Sequence, residues 1–322
     1  MSALLMPMSA IGQRARVARV AFLVQSPQPW LVAPLLAGLQ QRGWVEGKNL
    51  VLDVHSSERD AQRVDGLILK FVEQDTDVIV VVGTHFARAA QRVTKTIPIV
   101  MYLSGFPVEG GLVQSFARPG GNITGLATYS GEAFFTKHVS LMRELVPSLR
   151  EFGVLWDYLP PVFLEKEAEF GLRALQLAAT ELKVNARVRT IATQDDLAKA
   201  LADFEQRRVQ AVFSTSGPMN GGQSPGTTRI IEFSLRRRLP LVCDIAGSLF
   251  RAGGLLSYSA SWAEAADRCA SFVDRILRGA KAAELPIERP TKFELVLNLK
   301  TAKAIGITIP PAMLVRADSV IE

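Results

Sequence analysis

Polar and aromatic side chains recur in this chain where runs of β-branched and aliphatic residues break off, and those positions are where it could do chemistry. Gln25, Ser26 and Trp30 follow the apolar run 17–24, and Gly83, Thr84 and His85 follow five consecutive valines and isoleucines at 78–82. Ser104 and Phe106 lie beyond the run 97–101, and Tyr129 and Ser130 beyond 123–126. Trp156 and Asp157 close the run 152–156, Ser214, Thr215 and Ser216 follow 211–213, Asp244 follows 241–243, and Tyr258 ends 254–258. Hydroxyls and the free N–H groups of a helix start suit a carboxylate. A cation withdrawn from water needs a paired anion. The set therefore suits a small ligand with a carboxylate, held by N–H groups at Thr84 and a nearby hydroxyl, and an ammonium, held by Asp244 in preference to Asp157. Trp30, Phe106, Tyr129, Trp156 and Tyr258 offer apolar contact. Singly, each has an ordinary explanation, since loops are rich in Ser and Thr and aromatics fill cores. Recurrence at successive run ends is what favours a site.

Reaction chemistry finds less support. The sequence contains no G-x-x-x-x-G-K-[ST] phosphate loop, no G-x-G-x-x-G between strand and helix and no H-E-x-x-H, and its G-x-S-x-G spacing at 222–226 falls in a polar, Gly-rich loop and makes no strand-to-helix elbow. His55, His85 and His138 are not spaced as metal ligands with either Cys243 or Cys269. His85 could hydrogen-bond a ligand, but as a general base it lacks a nucleophile. No catalytic residue, metal or cofactor is expected.

The elements that must position these residues follow from periodicity. Residues 78–82 cannot alternate in and out, so they read as a strand covered on both faces. Gly83 ends that strand, Thr84 is the expected N-cap, and an alanine-rich helix follows. Strands alternating with helices give βαβ units and parallel sheets. At 322 residues two lobes are expected. The rhythm breaks at 118–130 and restarts. The expected division is a flexible tail at 1–15, one lobe from 16–127 plus 260–287, and a second from 128–259 plus 288–322. Crossings are placed near 128–130, 258–262 and 285–291. The fold class is α/β, two doubly wound parallel-sheet lobes joined by a multi-strand hinge, with the run ends facing the cleft.

Composition agrees with a globular chain: 48% hydrophobic and 21% charged residues. The net charge of +6 is spread out. Its densest cluster, Arg236-Arg237-Arg238, falls at a helix end where cations favour the dipole, so nucleic acid is not an expected partner. Cys243 and Cys269 read as small buried thiols. No apolar run is long enough to span a membrane. Residues 1–13 carry a short apolar patch with no basic residue ahead of it, a poor secretory signal.

Four segments carry a resemblance: Gly43-Trp44-Val45-Glu46-Gly47-Lys48-Asn49, Thr96-Ile97-Pro98-Ile99-Val100, Ala117-Arg118-Pro119-Gly120-Gly121-Asn122-Ile123-Thr124-Gly125 and the stretch 290–303. With Ile309-Pro310-Pro311 and Arg316-Ala317-Asp318 they make the chain, from about residue 17 onward, resemble the ABC transporter substrate-binding protein family related to tryptophan and aromatic-amino-acid binding proteins. The resemblance implies a type I periplasmic binding protein fold and a ligand in the interlobe cleft. It also implies periplasmic delivery to an ABC permease in the inner membrane, and no catalysis. Two departures bear on the ligand. The family's loop after the fourth strand usually has Asp before Pro, where this chain has Phe106-Pro107, and its Trp-Asn-Pro is here Trp156-Asp157-Tyr158. The expectation is a monomeric solute receptor for an amino acid or related carboxylate with an apolar portion. A ligand-sensing regulatory module of the same fold is the alternative, and an enzyme on a flavodoxin-like scaffold the weaker one.

Overall fold

The computed structural model describes residues 17–25, 29–58, 60–128, 131–157, 165–217, 219–221 and 224–322. The chain runs β1 (Ala18–Val24), α1 (Pro29–Gln41), β2 (Leu50–Ser56), α2 (Ala61–Glu73), β3 (Val78–Val82), α3 (Thr84–Val93), β4 (Ile99–Ser104) and β5 (Ile123–Ala127). These five strands form one sheet in the order β2-β1-β3-β4-β5. Every pairing in it is parallel. The valine-rich β3 occupies the centre, which explains why it cannot alternate: Val78 and Val80 pack on one face, Ile79 and Val81 on the other. α2 begins where Asp60 accepts the Gln62 N–H at 2.8 Å. Its Val64, Ile68 and Phe71 join α3's Phe86, Ala87 and Ala90 over one face.

The chain then builds a second sheet. α4 (Glu132–Leu145), β6 (Glu151–Asp157), α5 (Glu165–Glu181), β7 (Asn185–Ile191) and α6 (Gln194–Arg207) come first, followed by β8 (Val212–Ser214), α7 (Pro225–Arg237), β9 (Leu241–Cys243), α8 (Ser248–Gly253) and β10 (Leu256–Ala260). The last part is α9 (Trp262–Leu277), a 3-10 turn (Ala282–Glu284), β11 (Phe293–Asn298), α10 (Leu299–Ile305), α11 (Pro311–Val315) and β12 (Ser319–Ile321). The sheet order is β12-β11-β10-β9-β8-β6-β7. α6 starts with a reciprocal capping box between Thr193 and Asp196.

α9 lies on the first sheet although it follows β6 to β10 of the second in sequence. Its buried stripe (Ala265, Ala266, Cys269, Phe272, Val273, Ile276) packs with Phe22, Val80 and Val100 and with α1's Leu31, Leu35 and Leu39. Residues 285–292 then return to the second sheet. The Ala127 N–H donates to the Glu288 carbonyl at 2.9 Å, the Glu288 N–H to the Gly125 carbonyl at 3.0 Å, and the Ser261 N–H to the Lys292 carbonyl at 3.0 Å. Side chains reinforce the crossing: Arg268 Nε donates to Glu288 at 2.6 Å, and Glu264 accepts the Lys292 N–H at 2.9 Å.

The α/β class with two sheet lobes is as expected, with local corrections. β11 runs antiparallel to β10, because the returning chain enters the sheet directly from the crossing without a covering helix to reverse it. The second sheet is therefore mixed. α8 and β12 were not anticipated. Pro310-Pro311, read as a stop, also starts α11, since a first-turn proline lacks only an N–H that would have no helical partner. The expected 1–15 tail lies outside the described residues. Cys243 and Cys269 are free and buried.

Candidate functional site

In a parallel sheet all strands leave by the same end, so each lobe gathers its exit loops on one face. A cavity of about 260 Å³ lies where those faces meet. The first lobe lines it with Gln25, Trp30, Gly83, Thr84, His85, Gly105 and Phe106, among others. The second contributes Trp156, Asp157, Ala168, Thr215, Ser216, Asn220, Asp244, Ile245, Ser248 and Leu249, and Trp262 enters from the head of α9.

On the first wall, Gly83 turns the chain from β3 into α3 at φ +93°, a conformation that side chains with a Cβ rarely adopt. Gly83, not Thr84, is the N-cap. Thr84 is the first helical residue, and its hydroxyl accepts the Gly105 N–H at 2.9 Å, tying the exit of β4 to α3. The start of α3, with its outward N–H groups and positive dipole end, thus meets the cavity. The His85 ring lies 3.9 Å from that of Phe86, and burial lowers its pKa from 6.5 to about 4, so it is neutral at pH 7. Trp30 meets Trp262 edge-on at 5.0 Å, and Trp262 stacks on Tyr102 at 6.0 Å.

The second wall carries the acids. Asp244 is 1% exposed, and its Oδ1 accepts the Ser216 hydroxyl at 2.8 Å. Asp157 organises the neighbouring loop: its Oδ2 accepts the Asn220 N–H at 2.8 Å, and its own N–H donates to Thr215 Oγ1 at 2.9 Å. The Asn220 side chain accepts the Gly217 N–H at 3.0 Å and donates to Ser214 Oγ and the Thr215 carbonyl at 2.9 and 2.6 Å. Among the described lining residues there is no lysine or arginine.

The cavity therefore brings together Gln25, Trp30, Gly83, Thr84, His85, Phe106, Trp156, Asp157, Thr215, Ser216 and Asp244. Three other sequence-predicted residues stand apart from it. Ser104 and Ser214 end their strands fully buried, one residue short of the loops that reach the cavity, and Ser214 is taken up by Asn220. Tyr258 points to the far side of β10, stacked on Phe293 at 5.3 Å and 5.6 Å from His138. Ser26, Tyr129 and Ser130 lie outside the described residues. Sequence reasoning missed Asn220, which sits in a Gly-rich loop without a strand to mark it, and Trp262, read only as the start of a returning helix. An aromatic at a crossing was the available signal.

The family described as ABC transporter substrate binding protein matches residues 20–321. The chain belongs to this family. One relative, the tyrosine-binding protein of Clostridioides difficile (strain R20291), is 22% identical over 272 residues, covering 84% of this chain and 75% of its own length. A solved structure of a conserved domain protein from Vibrio cholerae O1 biovar El Tor str. N16961 is 28% identical, with TM-score 0.81 over 95% of this chain and 100% of the other. The ABC domain from Streptococcus pneumonia in complex with L-Trp superimposes with TM-score 0.81 at 21% identity, covering 94% and 99% of the two chains.

Proposed function

We propose that this ABC transporter substrate-binding protein holds a zwitterionic ligand, an amino acid with an apolar side chain, between its lobes. The observation that carries the reading is the unlike character of the two cavity walls: the N-terminus of α3 on one, the buried Asp244 carboxylate on the other. The ligand carboxylate sits at the head of α3, and its ammonium pairs with Asp244. Asp157 shapes the loop that presents Ser216 and Asn220. Trp30, Trp262 and Trp156 supply the apolar contact. The names of the C. difficile relative and of the S. pneumonia complex support this ligand class.

Each lobe holds only one end of such a ligand, so capture requires the lobes, 16–127 with 260–287 and 128–259 with 288–322, to close on it about the crossings. The closed form hands the ligand unaltered to an ABC permease in the inner membrane, and the protein works as a monomer on the periplasmic side. A thermal-shift panel of amino acids tests the reading. A ligand at 100 times its Kd stabilises the native state by about 2.7 kcal/mol, and emission from Trp30, Trp156 and Trp262 changes with it. A panel in which L-tryptophan, L-tyrosine, L-phenylalanine and L-leucine all leave melting and emission unmoved overturns the assignment.

A further inference from the structure

Phe106 belongs to one lobe by its backbone and to the other by its side chain. The loop leaving β4 is fixed to the first lobe: Thr84 holds the Gly105 N–H, the Phe106 and Pro107 carbonyls accept the Gly110 and Leu112 N–H groups at 2.8 Å, and Leu112 packs in the first lobe's core. The Phe106 ring, only 4% exposed, lies in the second lobe's core cluster, 5.0 Å and edge-on from Phe170 of α5 and 6.5 Å from Phe135 of α4. Gly171 makes room for it. A Cβ on Gly171 would stand 2.9 Å from Phe106 Cε2 and 2.6 Å from Trp156 Cη2, so the absence of a side chain there lets both rings lie against α5. A second contact joins the lobes through the Arg251 guanidinium of α8, 5.4 Å from the Trp30 ring of α1.

We propose that Phe106 is an interlobe latch, a positioning residue whose ring, seated in the aromatic slot of α4 and α5, holds the cleft shut. The proposal rests on the reading that the lobes part to admit a ligand. Parting them withdraws the ring from its slot and exposes it together with Phe170. The latch therefore raises the closed fraction of the free protein, and apparent affinity scales with the fraction already competent to bind.

Donor and acceptor dyes on Lys48→Cys and Lys199→Cys, both exposed and one in each lobe, report the distance between lobes in the free protein. The native cysteines are buried and escape labelling. Phe106→Ala should move the distribution toward the open form, Phe106→Leu should retain most of the closed population, and Phe170→Ala should act from the other lobe without touching the loop. The Phe106→Ala/Phe170→Ala pair should open no further than the stronger single change, because both remove one contact. With L-tryptophan as probe, Phe106→Ala should speed dissociation roughly tenfold, the scale of one aromatic contact. A Phe106→Ala distribution identical to the parent's, or fully additive effects in the pair, overturns the latch. The distance measurement needs no ligand, so failure of the amino-acid reading leaves this test intact.

Discussion

The two walls of the cleft are made by the same device, strand exits of a parallel sheet, yet they present opposite polarity. The first lobe offers a helix start, a neutral histidine and amide or hydroxyl groups, without a carboxylate among its described lining residues. The second offers Asp157 and Asp244, each engaged by a neighbouring donor. The proposed anchor for the ligand carboxylate is backbone on the first wall, and that for its ammonium is a side chain on the second. That difference teaches where mutations can speak: the ammonium anchor can be deleted as a side chain, while the carboxylate anchor must be disturbed through the turn that forms it.

The largest expected effect tests the acidic wall. Asp244→Ala should weaken binding of L-tryptophan or L-tyrosine by about 2–5 kcal/mol in calorimetry, through loss of a buried charge pair. Unchanged affinity would remove the asymmetry altogether. Next comes pH. His85 and His138 each have a folded pKa near 4 because burial disfavours the charged ring. Above pH 6.5 both are neutral in either state. Below it the unfolded chain takes up protons that the folded chain refuses, so stability falls until about pH 4, by at most roughly 3 kcal/mol per histidine. His138, wholly buried between Phe134, Phe213 and Tyr258, should account for more of the loss than His85, which keeps some contact with the cavity. Urea titrations between pH 6.5 and 5 should show a flatter slope for His138→Leu than for His85→Gln, and the reverse order would mean that the His85 ring on the first wall is the more fully withdrawn from water.

Thr84→Val should destabilise the first lobe by about 1–3 kcal/mol, because the Gly105 N–H loses its acceptor. Its effect on affinity should appear as loss of register between α3 and the β4 exit. Smallest is Asp157→Asn, which keeps an oxygen for the Asn220 N–H and should shift affinity by no more than about 1 kcal/mol. A loss as large as that from Asp244→Ala would make both acids ligand partners.

The architecture was legible wherever one physical signal dominated. Five β-branched residues at 78–82 could only be a covered strand, and the stripe on α9 already announced a sheet to lie on. Legibility failed where the decisive neighbour is distant. The antiparallel entry of β11 depends on where the crossing delivers the chain, which no local pattern records. Thr84 looked like a cap because the rule for caps is local, but Gly105 claims its hydroxyl from another loop. Ser104 and Ser214 differ from true cavity residues by a single position along a strand end. Phe106 resembled a ligand platform, and only the three-dimensional contacts with Phe170 and Phe135, with room left by Gly171, show that the ring has protein partners.

The late placement of α9 governs the order in which the molecule can be finished. The five strands of the first sheet are all synthesised early, but part of the face that α1 helps to cover waits for a helix made after nearly all of the second lobe. The second sheet in turn lacks β11 and β12 until residues 293–321 are made. Neither lobe can be completed before these late segments are made, so each depends for its finish on chain that lies far from most of its strands in sequence.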